Sequence, residues 1–190
     1  MSELPPIRRD VTVSWDQAAA FRRFTSEFAA WWPWRTHSIG GKCVKRVVFE
    51  CRAGGRIFEE HVDGRRFQWG RVLEYDAPQR VKFTWHPSRD EATAQDVEVR
   101  FTPEGAGTRV LLISDKWENW GKNAHRARKG YDVGWAYVLN VWAERRTAKM
   151  AVLDGLMLVM RGVELARGGT KASIARAGGQ IAGASAEPQR

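Results

Sequence analysis

The spacing of apolar residues changes twice along the chain, and the two changes divide it into an opening helix, a run of strands and a closing helix. Residues 8–13 alternate weakly between polar and apolar. Ser14-Trp15-Asp16-Gln17 then reads as a capping box, a Ser oxygen for the early amides and a Gln three residues on to reach back. Ala20, Phe21, Phe24 and Phe28 follow at helical spacing, and Pro33 disfavours helix at the residue before it, so one amphipathic helix or two short ones are expected over 14–32. From Lys42 the period becomes two. Val44 to Cys51 ends at Arg52-Ala53-Gly54-Gly55, and Arg56 to Val62 ends at Asp63-Gly64, a strong hairpin signal. Phe67 to Tyr75, Val81 to Trp85, Val97 to Phe101 and the strand carrying Val110 and Leu112 complete six strands of an antiparallel meander.

Past Trp117, Lys122, Arg126, Arg128 and Lys129 thicken the positive charge, and a second helix is expected from near Asp132, which can cap it. Tyr131, Trp135, Val138, Leu139 and Trp142 fall within about 100° of arc, a face built to be buried. Residues 150–166 carry Met150, Leu153, Met157 and Met160 at helical spacing with Gly155 and Gly162 between them, a weak accessory helix that either packs on its own domain, pairs with a second copy or moves freely. From Arg167 the Gly-, Ala- and Ser-rich composition predicts a disordered tail. The expected organisation is therefore one domain over 1–149, an accessory helix over 150–166 and a tail over 167–190.

Composition narrows the class. The 190 residues are 43% hydrophobic, enough for one core without disulfide or structural metal. Trp occurs 10 times, which either over-supplies a core or lines a cavity for an apolar ligand. No apolar run approaches the ~18 residues of a membrane span, and the N-terminus lacks an apolar signal core, so a cytoplasmic location is expected. Cys43 and Cys51 lie roughly 26 Å apart if one strand holds both, so they read as two reduced, buried thiols. His37, His61, His86 and His125 are scattered, with no Cys-x-x-Cys beside them, and no metal is expected. The formal charge of +9 is spread among acids along the chain, and no nucleic-acid recognition motif is present, so the basic residues read as a solvated surface. Nucleophile elbows and phosphate-cradling loops are also missing.

An ordered set of motifs goes further. Trp31-Trp32-Pro33 with His37-Ser38, Gly54-Gly55-Arg56-Ile57-Phe58-Glu59, Trp69-Gly70-Arg71-Val72, Pro78 to Trp85, Val97 to Phe101, Gly107-Thr108-Arg109-Val110 and Gly130 to Trp135 resemble the bacterial SRPBCC (START-like, Bet v 1-like) superfamily over roughly residues 5–146. More narrowly they resemble its branch similar to the C-terminal domain of the activator of the heat-shock-protein-90 ATPase. The resemblance implies an α+β helix-grip fold, a curved antiparallel sheet wrapped around a long terminal helix. It also implies an elongated cavity between sheet and helix for a small hydrophobic or aromatic ligand, with no cofactor required.

Candidate ligand contacts are Trp32, Trp69, Trp85, Trp117 and Trp135, oriented by His37, Glu59 or Arg71. Trp69, Trp85, Trp135 and Trp142 can converge across one interior, either as a filled core or around an open cavity. Trp31, Trp32, Trp34, Trp117 and Trp120 lie at element ends, where they could close a cavity mouth. Glu59 and His61 share strand parity with Ile57, although Phe58 on the other face leaves the inward side open. If Glu59 faces inward beside a cation such as Arg71, it or His37 is the candidate general acid or base of a cofactor-independent cyclase or hydrolase. The third class is a chaperone-modulating protein-interaction domain whose contact is made by Trp117, Trp120 and basic residues.

Overall fold

Asp16, not Ser14, starts the first helix. In the structure, a computed structural model describing residues 4–145, 150–152 and 155–156, the Asp16 carboxylate accepts from the Ala19 N–H at 2.7 Å. An ionised oxygen makes the stronger cap bond, and helix α1 runs Gln17–Phe24 behind it. Gln17 does not reach back to close a box; its Nε2 donates to the Phe101 carbonyl at 2.6 Å and ties α1 to the sheet. Of the alternatives for 14–32, two short helices form: α1 buries Ala20, Phe21 and Phe24, and α2 spans Phe28–Trp31. Beyond Pro33 a further turn, α3, spans Trp34–His37.

Strand β1 (Ile7–Val13) precedes these helices, and six strands follow: β2 (Val44–Phe49), β3 (Arg56–His61), β4 (Arg66–Asp76), β5 (Arg80–Trp85), β6 (Gln95–Glu104) and β7 (Gly107–Asp115). They form one antiparallel sheet in the order β1-β7-β6-β5-β4-β3-β2, a meander closed at one edge by the N-terminal strand. Register shifts between Val44 and Arg46, Ile57 and Phe58, and Val72 and Glu74 bend one half of the sheet. Gly70 permits the tightest approach: a Cβ there would lie 1.8 Å from the Thr84 carbonyl oxygen. The expected buried thiol pair is corrected here, since Cys43 is exposed at the end of a 3-10 turn ahead of β2 while Cys51 is half-buried beyond it.

Helix α4 runs Ala124–Trp142 after a 3-10 segment, Trp117–Asn123. It begins well ahead of Asp132, whose carboxylate instead meets Arg9 Nη2 at 2.6 Å and fastens α4 to β1. Gly130 and Gly134 did not stop the helix, because Trp135, Val138, Leu139 and Trp142 are buried on its other residues and tertiary packing outweighs propensity. The curved sheet with its long terminal helix is the expected α+β helix grip. The 150–166 segment lies mostly, and the tail wholly, outside the described residues, although Met150 is buried.

Strand β3 resolves the question of parity by burying both faces, Ile57, Glu59 and His61 on one and Phe58 and Glu60 on the other. The second face is covered by arginines: Arg56 and Arg66 lie over the Phe58 ring, and Arg46 and Arg66 each reach Glu60 Oε2 at 3.0 Å. Arg46 foremost, with Arg66, holds the Glu60 carboxyl at about 2 against the opposing effect of desolvation. Its ordinary value is 4.5, so the folded state binds this proton more weakly than the unfolded chain. The stabilisation is complete above 4.5 and is lost as pH falls toward 2. Thermal melts across that interval should show a steeper decline in wild type than in Glu60→Gln; equal slopes would contradict the assignment.

Candidate functional site

A cavity of about 590 Å³ opens between the N-terminal half of α4, the end of β5 and the segment joining α2 to α3. Trp32 and Trp85 wall it on the sheet side with rings 5.5 Å apart, and Trp85 meets Trp135 of α4 at 5.4 Å. On the helix side Ala127, Gly130 and Gly134 line it, falling within about 60° of arc at 100° per residue. Both glycines have ordinary helical φ, and a Cβ at either would meet nothing within 4 Å. Backbone conformation therefore does not require them, and each costs roughly 1 kcal/mol against Ala in a helix interior. What they supply is open space.

The rim is held by a polar and aromatic cluster. Arg89 stacks its guanidinium 3.4 Å from the Trp120 ring centroid and donates to the Asn119 carbonyl. Buried Gln95, with its amide oxygen toward these donors, accepts from Trp120 Nε1 and from Arg89 Nη1 at 3.1 Å and donates to the Trp85 carbonyl at 3.1 Å. Tyr131 packs against Trp117 at 5.5 Å and Trp120 at 5.8 Å. Burial pushes the Tyr131 hydroxyl up to about 12, with Arg89 pulling the other way, so the phenol stays neutral and can donate. Burial also lowers Arg89 from its usual range.

Of the residues singled out from the sequence, the structure brings Trp32, His37, Trp85 and Trp135 together on the cavity lining. His37 Nδ1 is 2.9 Å from Thr36 Oγ1, and its ring stacks on Tyr137 at 4.8 Å and 8°. Trp135 is 4% exposed, and its indole N–H has no hydrogen-bond partner among the described residues. Trp69 stands one layer behind, 5.4 Å from Trp32 and 5.6 Å from Trp85. Trp117 is fully buried beneath Tyr131, its Nε1 donating to the Ser114 carbonyl at 3.0 Å. Trp142 packs against Trp15, Phe24 and Phe101 at the far end of α4, in the same core but away from the cavity lining.

Glu59 and Arg71 fall outside the lining. Arg71 is half-exposed beside Glu91 at 3.4 Å, and its pairing with Glu59 is corrected, because the register shift between Ile57 and Phe58 sets Arg71 opposite Arg56, on the face away from Glu59. The Glu59 carboxylate, fully buried, accepts from the Ile39 and Gly40 N–H groups at 2.7 Å each and lies 2.5 Å from His61 Nε2. It therefore anchors the segment leading out of α3. Sequence reasoning placed Trp120 at a mouth and Arg126 in a surface cluster, but missed Asn123, Gly130 and Gly134 as lining. Two glycines four apart, inside a segment of otherwise helical periodicity, are the signal that could have found them. Among the described residues no three His, Cys, Asp or Glu side chains gather closely enough for a metal ion, and no helix is long and apolar enough to cross a membrane.

Curved sheet, gripping helix and the cavity between them define a helix-grip domain. The chain belongs to the family described as activator of Hsp90 ATPase homolog 1-like protein, an SRPBCC branch, which matches residues 17–144. A solved anthrahydroquino-gamma-pyrone synthase, Txn09, complexed with a molecule designated SUM, is 34% identical over 77% of this chain and 100% of its own, with a TM-score of 0.51. Protein BH1534 of Bacillus halodurans shares the fold at 18% identity and TM-score 0.55, covering 76% of this chain and 99% of that one. Protein MLL2253 of Mesorhizobium loti does so at 15% and 0.53, covering 74% and 95%. No curated protein matches the chain.

Removing the Glu59 carboxylate strands both amides and His61 in a buried site, so Glu59→Ala should lower the unfolding free energy by about 3 kcal/mol or more. Denaturant unfolding reads this; a loss under about 1 kcal/mol would contradict the anchoring role.

Proposed function

We propose that this chain binds a planar, fused-ring aromatic molecule in the cavity beneath α4. The cavity itself carries the reading: its volume of about 590 Å³ suits a small organic ligand, for which pockets run ~300–1,000 Å³. Its walls are flat indole faces and its opposite side is a glycine strip, an arrangement that favours a flat ligand over a bulky one. A core built only for stability gains nothing from two helix glycines that leave a void, since a void loses dispersion contacts on all its sides. The 34% identical relative, an anthrahydroquino-gamma-pyrone synthase complexed with a small molecule, supports the same ligand class.

A second reading, ring-forming catalysis in the same slot, is favoured by His37. Its imidazole lies on the lining, held by Thr36 on one side and stacked on Tyr137 on the other, as a general acid or base must be. Glu59 has no such position, because its oxygens are committed to Ile39, Gly40 and His61. The protein-interaction reading has weaker support: Trp117 offers no exposed surface, and Trp120 is engaged by Arg89 and Gln95.

Gly134→Leu tests the reading by separating cavity from stability. The new side chain projects into the slot while raising helix propensity, so the melting temperature should hold or rise. Affinity for 1,8-dihydroxyanthraquinone, read by quenching of tryptophan emission, should fall about tenfold or more. Wild-type affinity in this variant would contradict the proposed slot.

A further inference from the structure

We infer that the ligand carries an anionic oxygen substituent, a carboxylate or ionised phenol, held at the cavity mouth by Arg126. This rests on the aromatic-ligand reading above and adds the charge class to it. The first ground is the balance of the lining: Arg126, the Trp135 indole N–H, the Tyr131 hydroxyl and the Asn123 amide all supply donors, and no Asp or Glu lines the cavity. At the inner end of the slot the Trp135 N–H is buried without a partner among the described residues, which favours an acceptor on the ligand there as well.

The second ground is that Arg126 combines a place on the lining with the lack of a neutralising partner among the described residues. Several arginines elsewhere are neutralised in place, Arg9 by Asp132, Arg46 by Glu60 and Arg80 by Glu74, whereas Arg8, away from the cavity, is exposed. Arg128, two residues on, donates to the Pro5 carbonyl at 2.7 Å. Arg126 lines the cavity and has neither an ion pair nor a hydrogen bond among the described residues. Lys122 and Lys129 beside it are exposed and likewise unpaired there, so the positive potential at the mouth is uncompensated. The one acid of the neighbouring 3-10 segment, Glu118, is exposed and does not line the cavity.

Geometry gives the ligand a direction. Arg126 and Trp135 are nine positions apart on one helix, about 13 Å along its axis and on opposite flanks of the cavity face. Arg126 is solvent-exposed, whereas Trp135 is buried. An extended aromatic body therefore enters toward Trp135 and leaves its anionic end at the mouth. There the anion keeps part of its hydration, which avoids the large desolvation penalty of a buried ion pair.

Paired probes test the assignment. Anthracene-2-carboxylate and anthracene-2-carboxamide share their rings and differ in charge, and both can be titrated by quenching of tryptophan emission. Wild type should prefer the carboxylate about tenfold, as a charge-assisted contact allows, and the preference should shrink at about 0.5 M salt. Arg126→Gln should abolish the preference. Arg8→Gln, which removes one charge from β1 away from the cavity, should retain it. Equal affinity for the two probes in wild type, or a preference that survives Arg126→Gln, overturns the charge assignment while leaving the aromatic reading standing. Failure of wild type to bind either probe overturns the aromatic reading and the charge assignment with it.

Discussion

The contact between Trp85 and Trp135 sets how far α4 stands from the sheet. Two indoles at 5.4 Å hold helix and strand apart by more than aliphatic side chains would, and the two halves of the helix use that separation differently. Toward the C-terminus, Leu139 and Trp142 fill it, with Trp142 packed against Trp15, Phe24 and Phe101 at 5.3, 5.8 and 6.4 Å. Toward the N-terminus, Ala127, Gly130 and Gly134 leave it empty. The packed half stabilises the helix sufficiently for the hollow half to tolerate its glycines.

Two polar assemblies then fix the borders of the hollow half. At one border, Gln95 joins β6 to Trp120, Arg89 and the Trp85 backbone, so the rim cannot shift without breaking several hydrogen bonds together. At the other, Glu59 grips the amides of Ile39 and Gly40, the second and third residues after His37. Gly40 fits only because it has no side chain; a Cβ there would lie 2.2 Å from His61 Nε2. A buried carboxylate on β3 thereby positions an imidazole on the cavity wall without touching the cavity, a preorganised arrangement with the supporting group one step removed.

The six strands of the meander were legible because period-two alternation in β4, β5 and β6 follows directly from one face being buried, and Asp63-Gly64 marks its hairpin with Gly64 at φ 83°, whereas the pairing of β1 with β7 was not. The family motifs extended that reading to the helix grip. The start of α4 was not legible: its first turns are glycine-bearing and charged, and its apolar face emerges only where it meets the core. Asp132 resembled a cap yet belongs to an ion pair with Arg9, a contact 123 positions away in sequence that no local pattern encodes. The cavity was half visible for the same reason. Trp32, Trp85 and Trp135 announce themselves by size, whereas Gly130 and Gly134 contribute by absence and read locally as weak helix. Parity left the side that Glu59 faces open, since Phe58 occupies the other face and both are buried, and its partners come from backbone amides, which carry no signature in the sequence.

The central claim is that the space beneath α4 exists to be occupied. Native mass spectrometry of protein purified from its source, set against the denatured mass of the same sample, addresses it most directly. The account predicts a small aromatic adduct that survives native ionisation and is released on denaturation, its mass identifying the ligand. A bare protein mass, together with no thermal shift across a panel of neutral and acidic polycyclic aromatics, would contradict it.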